Sequence, residues 1–178
     1  GWAEQDPEHW WQAAIAGARQ VIGSSGVSPS SIRAVGLTGQ MHGSVFLDND
    51  HRVLRPAILW CDQRTADACA WITRTVGKKR LIALVGNPAL TGFTAPKIIW
   101  VRTHEPHTYE RIARVLLPKD YVRFRLTGEF ATDVSDASGT LLLDVRRRRW
   151  STEMLRLLAI PREWMPGCHE STAVTGAR

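Results

Sequence analysis

The chain has 178 residues, 44% hydrophobic and 22% charged, a balance that fits a soluble globular domain and not a disordered or fibrous chain. Its charge of +6 comes from 23 Lys and Arg against 17 Asp and Glu, and its longest apolar runs fall far short of the roughly 20 residues a bilayer needs, so no membrane partner is expected. Cys61, Cys69 and Cys168 form an odd set without Cys-x-x-Cys spacing, which argues against a disulfide framework or a zinc site and fits a reducing cytoplasm.

The opening, Gly1 to Asp6, has no initiator Met, basic n-region or apolar h-region, so it reads as neither a natural start nor a signal peptide. Asp6 then caps a predicted surface helix to Ile22, with Pro7 in its first turn and apolar groups at helical spacing from Trp10 to Val21. After a Gly/Ser/Pro connector, Ile32 to Leu37 reads as a buried strand running into the turn Thr38-Gly39-Gln40-Met41-His42-Gly43. Ser44 to Leu47 is a second short strand. Helices follow at Thr65 to Val76, with Lys79 to Val85 as an extension, and then at Pro96 to Arg102, Pro106 to Ile112 and Pro118 to Leu126. Thr132 to Val145 reads as a loop and then a strand, and Ser151 caps a last helix to Ala159 without a capping box. Interleaved helices and strands indicate the α/β class with a mostly buried sheet and no internal domain boundary.

The stretch Gly36 to Gly43 carries the most chemistry. Three glycines in eight residues let backbone approach a ligand, and the absence of any lysine rules out a phosphate-binding P-loop. Gln40 and His42 offer donors and acceptors and Met41 an adaptable apolar wall, a set that suits a polyol. By chemistry alone, the same two side chains serve equally well to satisfy a tight turn. In Trp60-Cys61-Asp62-Gln63-Arg64 a helix entrance with Asp62 near its start is favoured over a sugar contact, and Trp100 reads as core. Asp133 and Asp136 resemble a paired-carboxylate site, but short acids before a strand more often form Asx turns and caps. The run Arg146 to Arg149 is read as a solvated turn in preference to a nucleic-acid contact, and His104 with His107 as a surface turn.

Together, Gly1 to Pro7, the Gly-Leu-Thr-Gly-Gln-Met-His-Gly turn, Trp60 to Arg64, Gly92 to His104 and Thr132 to Trp150 resemble the FGGY carbohydrate kinases over essentially the whole chain. The resemblance implies an actin-like ATPase (ribonuclease H-like) domain, with residues 1–178 forming part of the family's N-terminal domain without its first strands, and with the C-terminal domain absent. It implies that Gln40, Met41 and His42 line a sugar pocket, with Thr94 a further candidate. Met41-His42, where glycerol kinases carry Arg-Glu, points to D-xylulose as the small-molecule partner. The implied cofactors, ATP and Mg, are expected to bind through a phosphate-contacting turn upstream and a catalytic Asp downstream of Arg178. On this basis the chain alone has no catalytic, cofactor-binding or metal-binding residue of its own, should not catalyse, and should fold poorly or self-associate. A homodimer of the whole protein is a further expectation, and the competing function is a non-catalytic sugar-binding or interaction module.

Overall fold

The Asp6 carboxylate accepts from the Glu8 N–H at 2.9 Å, so the first long helix begins where its capping residue places it. In the computed structural model, which describes residues 1–177, strand β1 (Glu4–Gln5) precedes this helix, α1 (Pro7–Ser25). A 3-10 turn, Pro29–Ser31, and irregular chain lead to β2 (Val45–Leu47) and β3 (Ala57–Ile58). Next come α2 (Ala66–Val76), α3 (Lys78–Val85), α4 (Thr94–His104), α5 (Pro106–Tyr109) and β4 (Arg114–Leu116). The last third holds α6 (Pro118–Thr127), β5 (Ala131–Asp133), α7 (Val134–Ser138), β6 (Leu143–Asp144), β7 (Arg149–Trp150), α8 (Thr152–Leu158), a 3-10 turn at Arg162–Trp164, and β8 (Gly167–His169). Gly77, at φ 88°, separates α3 from α2, so Lys78–Val85 is a distinct helix and not an extension.

The expected buried strand at Ile32 to Leu37 does not form. The segment is irregular and exposed, with Val35 at 71%. Apolar composition fits a strand only where a neighbour supplies backbone donors and acceptors, and none among the described residues pairs with it. The expected single sheet is instead four two-stranded ladders: β1 with β3, β2 with β4 and β6 with β7 antiparallel, and β5 with β8 parallel. The segment read as loop and strand from Thr132 to Val145 contains α7 between β5 and β6.

Strands β2, β3 and β4 divide the interior in two. Phe46, Ile58 and Val115 face a large core with Ile72, Leu81, Ile98, Leu141 to Leu143 and Met154. Their neighbours Val45, Leu47, Ala57 and Leu116 face a smaller one with Tyr121. This is the period-two alternation of a strand covered on both faces, and each fully buried Leu, Ile or Phe contributes about 1.5–3 kcal/mol. The basic run turns the β6–β7 hairpin, where Arg147 pairs with Asp144 at 2.9 Å and Arg148 with Glu170 at 2.5 Å, as expected of a solvated turn.

Arg64 ties the first residues to this core. Its side chain is 1% exposed and lies with Cζ 4.0 Å from the Trp2 ring and 4.9 Å from the Trp100 ring. It donates to both Asp62 carboxylate oxygens, at 2.9 and 2.7 Å, and to Glu4 Oε1 at 2.5 Å. Asp62, fully buried, also accepts from the Ala3 N–H at 2.5 Å. Burial pushes the Asp62 carboxyl up, but the bonds from Arg64 and Ala3 outweigh it and hold it below the ordinary carboxylate range. A carboxyl lowered in the folded state contributes stability that is complete above its unfolded pKa and lost as pH falls through its folded one. Asp62→Ala, which leaves the buried Arg64 with Glu4 as its one remaining carboxylate and the Ala3 N–H without its acceptor, is expected to cost about 1–3 kcal/mol by denaturant melts at neutral pH, and that difference should shrink as both proteins are acidified below the carboxylate range.

Candidate sugar-binding loop

The turn at residues 40–43 is held by a backbone hydrogen bond within itself, Gly43 N–H to Met41 O at 2.8 Å, and it carries His42 in the left-handed region at φ 69°. A β-carbon makes that conformation unfavourable by about 1–3 kcal/mol, so the surroundings must hold it. They do so from three sides. The His42 carbonyl accepts from Thr94 Oγ1 at 2.9 Å, with Lys97 Nζ at 3.5 Å. The ring stacks on Phe93, with centroids 4.9 Å apart and planes 22° apart. Its Nδ1 lies 2.8 Å from the Gly139 carbonyl oxygen.

That last contact sets the tautomer. A carbonyl oxygen only accepts, so Nδ1 carries the proton, and in the neutral ring Nε2 is left as an acceptor. On the same turn, Gln40 Oε1 is buried without a hydrogen-bond partner among the described residues. One acceptor, one amide and the Met41 side chain thus sit on a single turn, a set able to receive and orient a polyhydroxyl ligand.

Structure places the four residues singled out in the sequence in one locale, with different jobs. Gln40, Met41 and His42 form the turn, while Thr94, 1% exposed at the start of α4, spends its hydroxyl on the His42 carbonyl and braces the turn from behind. Two of the turn's glycines serve packing and not ligand approach. A β-carbon on Gly39 would lie 3.3 Å from Lys119 Cβ and one on Gly43 2.6 Å from Pro118 Cγ, so both let the turn rest on the start of α6. Asp133 caps α7 by accepting from the Asp136 N–H at 3.0 Å. Both carboxylates then face Lys119 Nζ, at 2.5 and 3.1 Å, and Asp120 lies 3.2 Å from the same nitrogen. Burial pushes Asp120 up to about 6 against the pull of Lys119. Burial lowers Lys119 less than these three carboxylates raise it, so it stays a cation. Among the described residues no group of three or more His, Cys, Asp or Glu side chains is arranged to hold a metal ion.

Phe93, Lys97 and Gly139 escaped the sequence reading as parts of this site. Lys97 falls within the helix expected at Pro96 to Arg102 and Gly139 within the segment Thr132 to Val145, but neither local pattern says that both meet His42.

Residues 1–178 match the family model for the N-terminal domain of the FGGY family of carbohydrate kinases. The chain is 49% identical over 176 residues to the xylulose kinase of Escherichia coli (strain K12), a match covering 99% of this chain and 36% of that protein. A xylulose kinase structure from Brucella ovis superposes with a TM-score of 0.93 at 41% identity, over 98% of this chain and 36% of that one. One from Rhodospirillum rubrum gives 0.91 at 31%, over 99% and 37%. The chain thus spans about a third of the length of these relatives, and its fold is that of sugar kinases with the actin-like ATPase architecture.

A β-carbon on Gly139 would land inside the His42 ring and against Met41 Cε, whereas one on Gly36 meets nothing within 4 Å. Gly139→Ala is therefore expected to destabilise by about 1–3 kcal/mol and to shift the His42 ring signals in NMR spectra. Gly36→Ala should change both very little.

Proposed function

Because the chain belongs to the FGGY family of carbohydrate kinases, we propose that the protein carrying it transfers a phosphoryl group from ATP to D-xylulose, and that residues 40–42 orient the sugar. The observation that carries this assignment is His42, held in an unfavourable backbone conformation by Thr94, Phe93 and Gly139 so that one ring nitrogen is free to accept. Strain at His42 maintained from two separate segments, the entry of α4 and residue 139, supports a binding role for this side chain. Met41-His42 in place of the Arg-Glu pair of glycerol kinases supports a ketopentose, and the names of the relatives agree.

His42 Nε2 accepts from a sugar hydroxyl, the Gln40 amide pairs with a second, and Met41 packs against the carbon chain. Such bonds contribute about 0.5–1.5 kcal/mol each when neutral, and their main effect is orientation: the terminal hydroxyl is presented in one pose to the phosphoryl donor. ATP with a divalent cation, Mg2+ on this proposal, supplies the phosphoryl group and the charge neutralisation. The residues described here do not fit that group. The turn has no phosphate-binding lysine, and Asp133 and Asp136 are taken up by Lys119. Sugar orientation is assigned to this stretch and phosphoryl transfer to other parts of the same protein. No helix among the described residues is long and apolar enough to cross a membrane, which is compatible with a cytoplasmic enzyme; a homodimer belongs to the same proposal.

In the whole gene product, His42→Ala is expected to lower kcat/KM for D-xylulose by about 10- to 100-fold, equivalent to roughly 1.4–2.7 kcal/mol of lost recognition, with the KM for ATP within about twofold of wild type. A selective rise in the KM for ATP would move His42 to the nucleotide side. Xylulose binding without any ADP formation would favour a non-catalytic sugar-binding module.

A further inference from the structure

Lys97 is completely buried, at 0% exposure, and among the described residues no carboxylate lies within ion-pair distance of it. The ammonium reaches only carbonyl oxygens: Phe93 O at 3.0 Å, Thr91 O at 3.3 Å, Gly92 O, and His42 O at 3.5 Å. This is a costly arrangement. A buried cation forfeits hydration worth several kcal/mol, and this one also stands in the first turn of α4, where the helix dipole disfavours positive charge. Burial pushes Lys97 down to about 7 against the attraction of Asp62, with the Cys69 and Cys61 thiols and the Arg64 guanidinium the other titratable groups around it. An apolar side chain of equal length would fill the space without these costs.

What the Lys97 amino group does is draw four carbonyls from two segments toward one point, with the Thr65 hydroxyl also donating to that of Thr91 at 3.1 Å. Three belong to the loop entering α4, and the fourth is His42 itself. With the Thr91 to Phe93 carbonyls turned inward, the Phe93 ring lies under the His42 imidazole and the Thr94 hydroxyl meets the His42 carbonyl. The Phe93 stacking and the Thr94 hydrogen bond on His42 therefore both belong to the segment that Lys97 gathers, beside the Gly139 bond and the packing of the turn on α6.

We propose that Lys97 is a positioning residue for sugar recognition: its ammonium fastens the loop at residues 91–93 to the His42 carbonyl and thereby keeps the imidazole aimed at the substrate. Lys97 touches no substrate in this scheme. Its kinetic consequence rests on His42 binding the sugar, as proposed above, whereas its control of the His42 ring does not.

The test has two readouts on the whole gene product. In 15N-histidine NMR spectra, wild type should show the His42 ring as the Nδ1–H tautomer, and Lys97→Met should shift or broaden those signals. In kinetics, Lys97→Met should raise the KM for D-xylulose about tenfold or more while the KM for ATP stays within about twofold. Combined with His42→Ala it should add less than about twofold, because both changes remove the same contact. If Lys97→Met does not fold, Lys97→Gln, whose amide keeps a donor toward the carbonyls, should give an intermediate rise in KM and an intermediate NMR shift. Unchanged His42 signals in a folded variant overturn the proposal, as does a loss that multiplies fully with that of His42→Ala. Should His42→Ala leave kcat/KM for D-xylulose untouched, the sugar assignment fails, and the NMR comparison by itself decides whether Lys97 positions His42.

Discussion

A hydrogen bond between residues 97 apart in sequence, from the His42 ring to the Gly139 carbonyl, determines what the turn at residues 40–43 presents to solution. It fixes the protonated nitrogen, and so fixes which nitrogen can accept from a ligand. The bond exists only because residue 139 has no β-carbon, because Phe93 lies under the same ring, and because Gly39 and Gly43 let the turn rest on α6. The segments from α4 and α7 that converge on His42 are otherwise built around the large core, with Ile98 and Ala137 fully buried in it, whereas α6 packs Tyr121 into the smaller one. Core packing sets these helices, and the helices set one imidazole.

Three buried cations show how differently the fold treats charge. Arg64 is paired with Asp62 and Glu4 and lies beside two indole rings. Lys119 is shared among Asp120, Asp133 and Asp136. Both have carboxylate partners that recover much of the desolvation cost, and both join segments distant in sequence, so structural roles account for them. Lys97 has carbonyls alone. The least compensated of the three charges is the one that reaches the His42 carbonyl itself, in keeping with the tendency of proteins to retain unfavourable electrostatics near functional sites.

Local features were legible in the sequence. The Asp6 and Ser151 caps, the stop of α6 at Gly128, and the turn formed by the basic run all depend on residues within a few positions of each other. The cap role of Asp133 was legible for the same reason. Apart from the helix break at Gly77, what failed depended on partners far along the chain. Ile32 to Leu37 has a strand-like composition but no paired neighbour, and a strand is a property of a pair. Nothing near Lys97 in sequence marks it, since its surroundings come from two loops about 50 residues apart. Gln40, Met41 and His42 stood out through their chemistry and family resemblance, while the parts that hold His42 in place, Phe93 and Gly139, are unremarkable until the chain is folded.

The most direct measurement is a crystal structure of the whole gene product with D-xylulose bound. A sugar hydroxyl should lie about 2.6–3.2 Å from His42 Nε2, with Nδ1 still on the Gly139 carbonyl and Thr94 still on the His42 carbonyl. A ring rotated so that Nδ1 meets the sugar, or a sugar bound away from residues 40–42, would contradict the account.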